Sequence, residues 1–501
     1  MAANHPPASQ CTRAVNQRLT SFLPQDPAQR IFVGFVVVLL LGGATALLLS
    51  TPLALLPVAL AVGVLVVFTE WRLLYYLLFL TLAFSRELPL PGGLSMDVPS
   101  EPLLLVLTGC ILATVLMRRT FIPRRELLHP LVIILLLMLL WSAVSAVFSV
   151  DTTKSIKYLL AKTWYLVPFG LGTLLLVRRP ADIWRVAGLY AISASLTVLI
   201  TAAKHATHGF SFESVNEAVQ PFYRNHVIYA TVLALLLPFA LYSIRSTRGA
   251  TKTAWWVGLG ILLFGLITSY TRASVLSLPV AGLFYGVIRL RQTRLLLVAV
   301  LVAVFSGALY FLSQNNYMLY APNFEKTVFN GQNFEKHLEA TYKLQDVSGM
   351  ERVYRWVAAG RMAAAHPMVG SGPSTFYPEY KRYTVRSFRT YVSENPEKST
   401  THNYFLLVLA EQGFPGVVLF MILLGGTLIT IETLYHRTQP SSQPRYVLLA
   451  CGMSFVIIVF HLLLNELVEV DKIGSFFFIN LFMLIRVGTW VREGDKPLIT
   501  E

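Results

Sequence analysis

Where a polar loop runs back into an apolar stretch, the chain reads His402-Asn403-Tyr404-Phe405. Of the ten histidines, His402 is the one placed at such a re-entry point. Imidazole titrates near neutrality and suits removal of a proton from a hydroxyl. A histidine at a loop–helix junction also serves purely structural ends, so its setting has to decide. That setting is rich in arginine. Arg224 closes one polar connector, Arg272 interrupts the apolar run Ile267-Thr268-Ser269-Tyr270-Thr271-Arg272-Ala273-Ser274, and Lys381, Arg382, Arg386 and Arg389 lie shortly before His402. A guanidinium presents a planar fork of donors that matches phosphate oxygens. At membrane depth such a charge persists only where something offsets it. The plain alternatives are a snorkelling arginine at 272 and a solvated face at 382 and 386.

Other chemistries lack their residues. There is no H-E-x-x-H, P-loop or G-x-S-x-G pattern, and no D-x-D clamp for a metal and a nucleotide sugar. His205 and His208 have metal-ligand spacing, but no third ligand accompanies them. No metal and no cofactor is therefore expected, and phosphate charge would be met by arginine. Cys11, Cys110 and Cys451 form no C-x-x-C pair, so neither a disulfide framework nor a zinc site is indicated.

The elements that must carry these residues are membrane helices. The chain has 501 residues, 55% hydrophobic and 13% charged, with mean hydropathy +0.60. A soluble protein typically carries about 25% charged residues, so this surface could not be kept in water. The apolar residues come in blocks long enough to cross a bilayer as helices, which takes about 20 residues each. A membrane barrel would alternate instead. About fourteen spans (12–14) are expected. They lie near 31–50, 52–69, 71–85, 102–117, 130–149, 157–177, 184–203, 226–244, 254–270, 273–288, 295–312, 414–435, 446–464 and 473–489. The expected fold is an all-α polytopic membrane protein. It has tails at 1–30 and 490–501, helix bundles at 31–312 and 414–489, and a large loop with its own helices at 313–413.

Lys and Arg outnumber Asp and Glu by 41 to 26, for a net charge of +15. Much of the excess falls in alternate short connectors: Arg118, Arg119, Arg124 and Arg125; Arg178, Arg179 and Arg185; Arg245, Arg248 and Lys252; Arg289, Arg291 and Arg294; Arg437 and Arg445. By the positive-inside rule this side is cytoplasmic, with both termini. The compact basic face with interleaved aromatics that nucleic acid requires is missing, so no nucleic-acid partner is expected. Arg224, Arg272, the 313–413 loop and His402 then face outward. Arginine on the outward side runs against the charge rule and calls for a reason.

Three segments resemble the O-antigen ligase and polymerase superfamily. The first is His402-Asn403, nine residues, then Gly413-Phe414-Pro415-Gly416. It is similar to the ligase signature of His, then Asn, Ser or Gln, nine residues, Gly, two residues, and Gly, Thr or Tyr. The second is Thr268 to Ser274 with Arg272. The third joins Arg352 and Trp356 to the turn Pro367 to Phe376. Phe222-Tyr223-Arg224-Asn225-His226 resembles a weaker segment.

The resemblance implies a GT-C-like enzyme of the bacterial inner membrane, acting on the periplasmic face. Its donor would be a glycan on undecaprenyl pyrophosphate and its acceptor a lipid A-core sugar, with membrane lipids around it. His402 would be the base, with Asn403 beside it, and Arg272, Arg224 and Arg389 would hold the pyrophosphate, with Arg386 and Arg382 nearby. Two alternatives use the same donor: an O-antigen polymerase, and a protein O-oligosaccharyltransferase. A transporter would show broken, charged midplane helices and repeat symmetry, and neither is apparent.

Overall fold

The computed structural model describes residues 69–90, 94–117, 122–313, 347–385, 393, 395 and 399–494. Thirteen helices carry the fold. They are α1 (Arg72–Leu82), α2 (Ser100–Met117), α3 (Pro130–Val147), α4 (Thr152–Leu176), α5 (Pro180–Ala206), α6 (His226–Ser246) and α7 (Gly249–Thr268). The rest are α8 (Arg272–Arg289), α9 (Thr293–Leu312), α10 (Val347–Ala365), α11 (Tyr404–Arg437), α12 (Gln443–Leu462) and α13 (Asp471–Gly494). Their starts are marked by side chains that satisfy the first free amides. Asp151 accepts from Lys154 N at 3.1 Å, Asn225 from Ile228 N at 3.0 Å and Asn403 from Leu406 N at 3.0 Å.

Among the described residues, ten helices are long and apolar enough to cross a membrane. This is a multi-pass membrane protein. The expected spans 31–50 and 52–69 lie outside the described residues, apart from Thr69. The expected span 71–85 is the 11-residue α1, shorter than a full crossing. The span at 273–288 is α8, whose 18 residues include Arg272, Arg289, Pro279 and two serines and fall short of the others in hydropathy.

The described residues are mostly helical, as an all-α membrane protein should be, with one short exception. The connector before α2 forms a hairpin, β1 (Arg86–Leu90) antiparallel to β2 (Leu94–Val98), with Glu87 opposite Asp97. Only the second strand alternates, with Leu94, Met96 and Val98 separated by Ser95 and Asp97.

Helices α6, α12 and α13 form the core, with 83%, 78% and 83% of their apolar windows buried, against 6% for α9. Helices α6 and α12 are apolar on nearly every side, as a surrounded helix must be, while α13 also buries Arg486, which pairs with Glu126 at 2.8 Å. Helix α6 packs on α7 and α12, α12 also on α8 and α13, and α11 on α3 and α10. Helix α4 widens into a π turn over Val167–Gly172, where Pro168 cannot donate a backbone bond.

Candidate functional site

His402 stands one residue before the N-cap of α11, with its backbone in the left-handed region at φ 52°. A non-glycine residue there costs about 1–3 kcal/mol and is held only where the surroundings dictate it. Here they do. On one side, Trp356 Nε1 donates to the Thr401 carbonyl at 2.8 Å, so α10 grips the approach. On the other, Asn403 caps α11 with its oxygen and donates through Nδ2 to the Leu463 carbonyl at 3.2 Å. The imidazole is thereby set against the turn that follows α12.

His402 Nδ1 meets Asn465 Oδ1 at 3.1 Å. An amide oxygen only accepts, so Nδ1 carries the proton and Nε2 keeps its lone pair. Burial holds the imidazole below its ordinary pKa, and Arg352 and Arg355 push the same way. Glu466 and the bond to Asn465 pull against them. Glu466 Oε2 is itself buried with no hydrogen-bond partner among the described residues. The result is an oriented imidazole with Nε2 free, beside the Glu466 side chain.

The nine residues between Asn403 and Gly413 are turns of helix, and Gly413 ends them with φ 69° and ψ −171°. The break exposes backbone that the glycine turn of the preceding loop takes up. Phe414 N donates to Pro367 O at 2.9 Å, Ser371 N to Ala410 O at 3.0 Å and Gly372 N to Glu411 O at 2.9 Å. The Glu411 carboxylate accepts from Ser374 N and Phe376 N, both at 2.9 Å. Helix α3 closes the joint: Ser142 donates to Gln412 Oε1 at 2.7 Å and Ser145 to Val369 O at 2.6 Å. A Cβ on Gly413 would run into the Met368 carbonyl, and one on Gly370 (φ 69°) into the Glu411–Gln412 peptide. The His-Asn-x9-Gly spacing therefore builds a joint that fixes where His402 stands.

Arg272 is the first residue of α8 and is exposed. Next to it, Thr271 Oγ1 donates to the His226 carbonyl at 3.3 Å, and Ser274 Oγ meets His461 Nε2 at 3.1 Å. His461 lies in the last turn of α12, just before the Leu463 and Asn465 that receive Asn403 and His402. Arg272 and His402 therefore belong to one end of the bundle.

Arg224, two residues before His226, is exposed at the same end and paired with Glu87 of the hairpin at 2.7 Å. Beside that pair, Asp97 is pushed up to about 6 by burial and then by Asp471, with Lys472 opposing. Arg382 projects into solvent and pairs with Glu379 at 3.1 Å. Arg386 and Arg389 lie outside the described residues. His205 and His208 do not act together: His205 Nε2 bonds the Ser211 carbonyl at 2.9 Å, while His208 Nδ1 faces Thr207 and Lys204. Among the described residues no three His, Cys, Asp or Glu gather as a metal site.

Several residues of this end carried no signal in the spacing. Asn465 and Glu466 belong to an acidic turn that reads as a plain connector. Arg355 is buried against Glu351 at 3.5 Å. Tyr404 OH donates to Glu469 Oε1 at 2.8 Å, and Glu469 also pairs with Lys162 of α4 at 2.8 Å. A charged lysine ten residues inside an apolar helix was the one available clue to that contact.

Residues 257–421 match the family model described as O-antigen ligase. This stretch is similar to the O-antigen ligase family. The matched stretch holds Arg272, α10, the glycine turn, His402 and the Gly413 joint, so it coincides with the geometry just described. Arg224 and Asn465 lie outside it. No curated protein matches the chain.

Proposed function

We propose that this protein is a GT-C-like O-antigen ligase of the bacterial inner membrane. It moves a glycan from undecaprenyl pyrophosphate to a sugar of lipid A-core on the periplasmic face. The observation that carries the reading is the contact of His402, inside the matched stretch, with Asn465, at the end of the bundle where Arg272 begins α8. In the step, an acceptor hydroxyl attacks the anomeric carbon while the carbon–oxygen bond to the pyrophosphate breaks. The hydroxyl proton passes to His402 Nε2. Negative charge grows on the departing pyrophosphate, where fixed cations in a dry site are worth most. Arg272 is assigned to that charge, with Arg224 and Arg389 beside it; Arg224 would exchange Glu87 for phosphate, since an exposed ion pair is worth little. A single base and no second carboxylate acting as nucleophile imply direct displacement with inversion.

With both termini cytoplasmic, the His402 end faces the periplasm, in keeping with the alternating basic connectors. No divalent metal takes part: turnover by purified components in chelator should equal that with magnesium, and chelator-sensitive activity restored by magnesium would refute this.

The experiment that decides the reaction is removal of the protein from its host. A ligase leaves lipid-linked polymer but no lipopolysaccharide ladder. Loss of the polymer itself would make the protein a polymerase. An intact ladder with loss of glycan from proteins would make it an oligosaccharyltransferase.

A further inference from the structure

At the end of the bundle away from His402, helices α5 and α7 part to leave a groove of about 850 Å³. Ligand pockets run from about 300 to 1,000 Å³. The separation from the catalytic end is set by α12. Gln443 at its start lines the groove, while the turn after its last residue contacts His402. Twenty helical residues put about 30 Å between them. The groove is therefore distinct from the proposed donor site.

Its walls are single helix faces. Trp184, Gly188, Ala191 and Leu199 of α5 meet Trp255 and Gly258 of α7. Ile192, Leu196 and Leu199 are 53%, 45% and 50% exposed, although the opposite face of α5 is buried. At Gly258 the groove is open, with nothing within 4 Å of where a Cβ would stand. The chemistry changes at one end. Arg179 and Arg185 line the mouth and are exposed. Their nearest acid, Asp182, spends one oxygen on the backbone amides of Arg178 and Arg179, at 3.1 and 2.9 Å, and stands 3.5 Å from Arg185. Helices α5, α7 and α12 all begin here, so their dipoles add positive potential. Gln443 ties the rim, accepting from Trp184 Nε1 at 3.2 Å and from Ser246 Oγ at 2.5 Å. Another apolar helix would fill the walls but offer nothing to the two guanidinium groups at the mouth.

We propose that this groove is a binding site for an anionic glycerophospholipid. An acyl chain lies along α5 and α7, and the phosphate sits between Arg179 and Arg185. Basic pockets between membrane helices recognise lipid headgroups in this way, and guanidinium grips phosphate with two bonds. The placement at the end opposite His402 is geometric. That the lipid comes from the cytoplasmic leaflet rests on the orientation proposed above.

The test is native mass spectrometry of the full-length protein in mild detergent, titrated with phosphatidylglycerol or with phosphatidylcholine of the same chains. Phosphatidylglycerol should be retained roughly tenfold or more tightly, given two arginines at the headgroup. Arg179→Ala with Arg185→Ala should reduce it to the phosphatidylcholine level. Gly258→Leu, whose Cβ meets no neighbouring atom, should weaken both lipids and leave the fold intact. Equal retention of the two lipids by the unaltered protein overturns the proposal. So does undiminished phosphatidylglycerol binding by Gly258→Leu. A dimer that Gly258→Leu dissolves, with no lipid retained, would mean that a second copy fills the groove, and also overturns it. None of these readouts depends on glycan transfer, so the ligase assignment and the lipid site can fail separately.

Discussion

His402 Nδ1 and Asn465 Oδ1, 63 residues apart in sequence, stand 3.1 Å apart across the joint between α11 and the turn after α12. That contact selects the tautomer with a free Nε2. His402→Ala should reduce transfer by about 100- to 10,000-fold, the usual worth of a general base. Asn465→Ala keeps the imidazole but lets it turn, so it should cost about tenfold or more in kcat with little change in KM. Both are read in a purified transfer assay, with melting curves as the control for folding. Activity in Asn465→Ala equal to the unaltered protein would mean that the tautomer is fixed elsewhere.

The pH profile should follow the imidazole. The base works when neutral, and burial keeps its pKa below the ordinary value. Transfer should therefore hold steady from pH 8 down through about 6.5, the unperturbed histidine value, and fall only in more acid solution. Glu466 opposes that depression by favouring the charged ring. Glu466→Gln removes the opposition, lowers the pKa further and should move the acid limb to lower pH. A limb that moves upward would show that Glu466 does not face His402 in the working enzyme.

Gly413→Ala should destabilise the protein by more than about 1 kcal/mol, because alanine is strained at φ 69° and its methyl would meet the Met368 carbonyl. Transfer should fall with it, since the joint positions His402. Thermal unfolding in detergent checks the first point. An unchanged melting temperature would mean that the glycine turn and α11 can part without cost.

Much of the helical framework could be read from apolar blocks, because hydrocarbon imposes length and continuity on any crossing helix. The hairpin at Arg86–Leu90 and Leu94–Val98 could not: its strands are five residues each, and a connector that short carries little pattern. The candidate site was legible where a residue stands at a rare local feature, as His402 does at its re-entry point and Arg272 in its apolar run. It was illegible where a residue matters only through a distant partner. Asn465 is an ordinary polar residue in a turn until α11 and α12 pack. The signature's glycines read as a pattern, but their reason, the docking of Pro367 to Gly372 on the broken helix, exists only in three dimensions.

Arg272 should act by geometry and not by charge alone. It opens α8 at the end of the bundle that holds His402, and its neighbours Thr271 and Ser274 are tied to α6 and α12. Those ties fix the backbone from which the guanidinium reaches, while the side chain itself is exposed. A pyrophosphate offers oxygens on two phosphorus atoms, which a planar fork binds together and an ammonium meets as a point. Arg272→Lys should keep the positive charge and still lose about 100- to 1,000-fold in rate, the cost of one lost contact at a developing charge. Arg272→Ala should be no better. A merely snorkelling arginine predicts the opposite, since lysine reaches headgroups equally well. Both variants are compared with the unaltered protein in one purified assay, with insertion and melting measured alongside. Turnover by Arg272→Lys at the unaltered rate would make Arg272 a membrane anchor, and the leaving-group role would pass to Arg224 or Arg389.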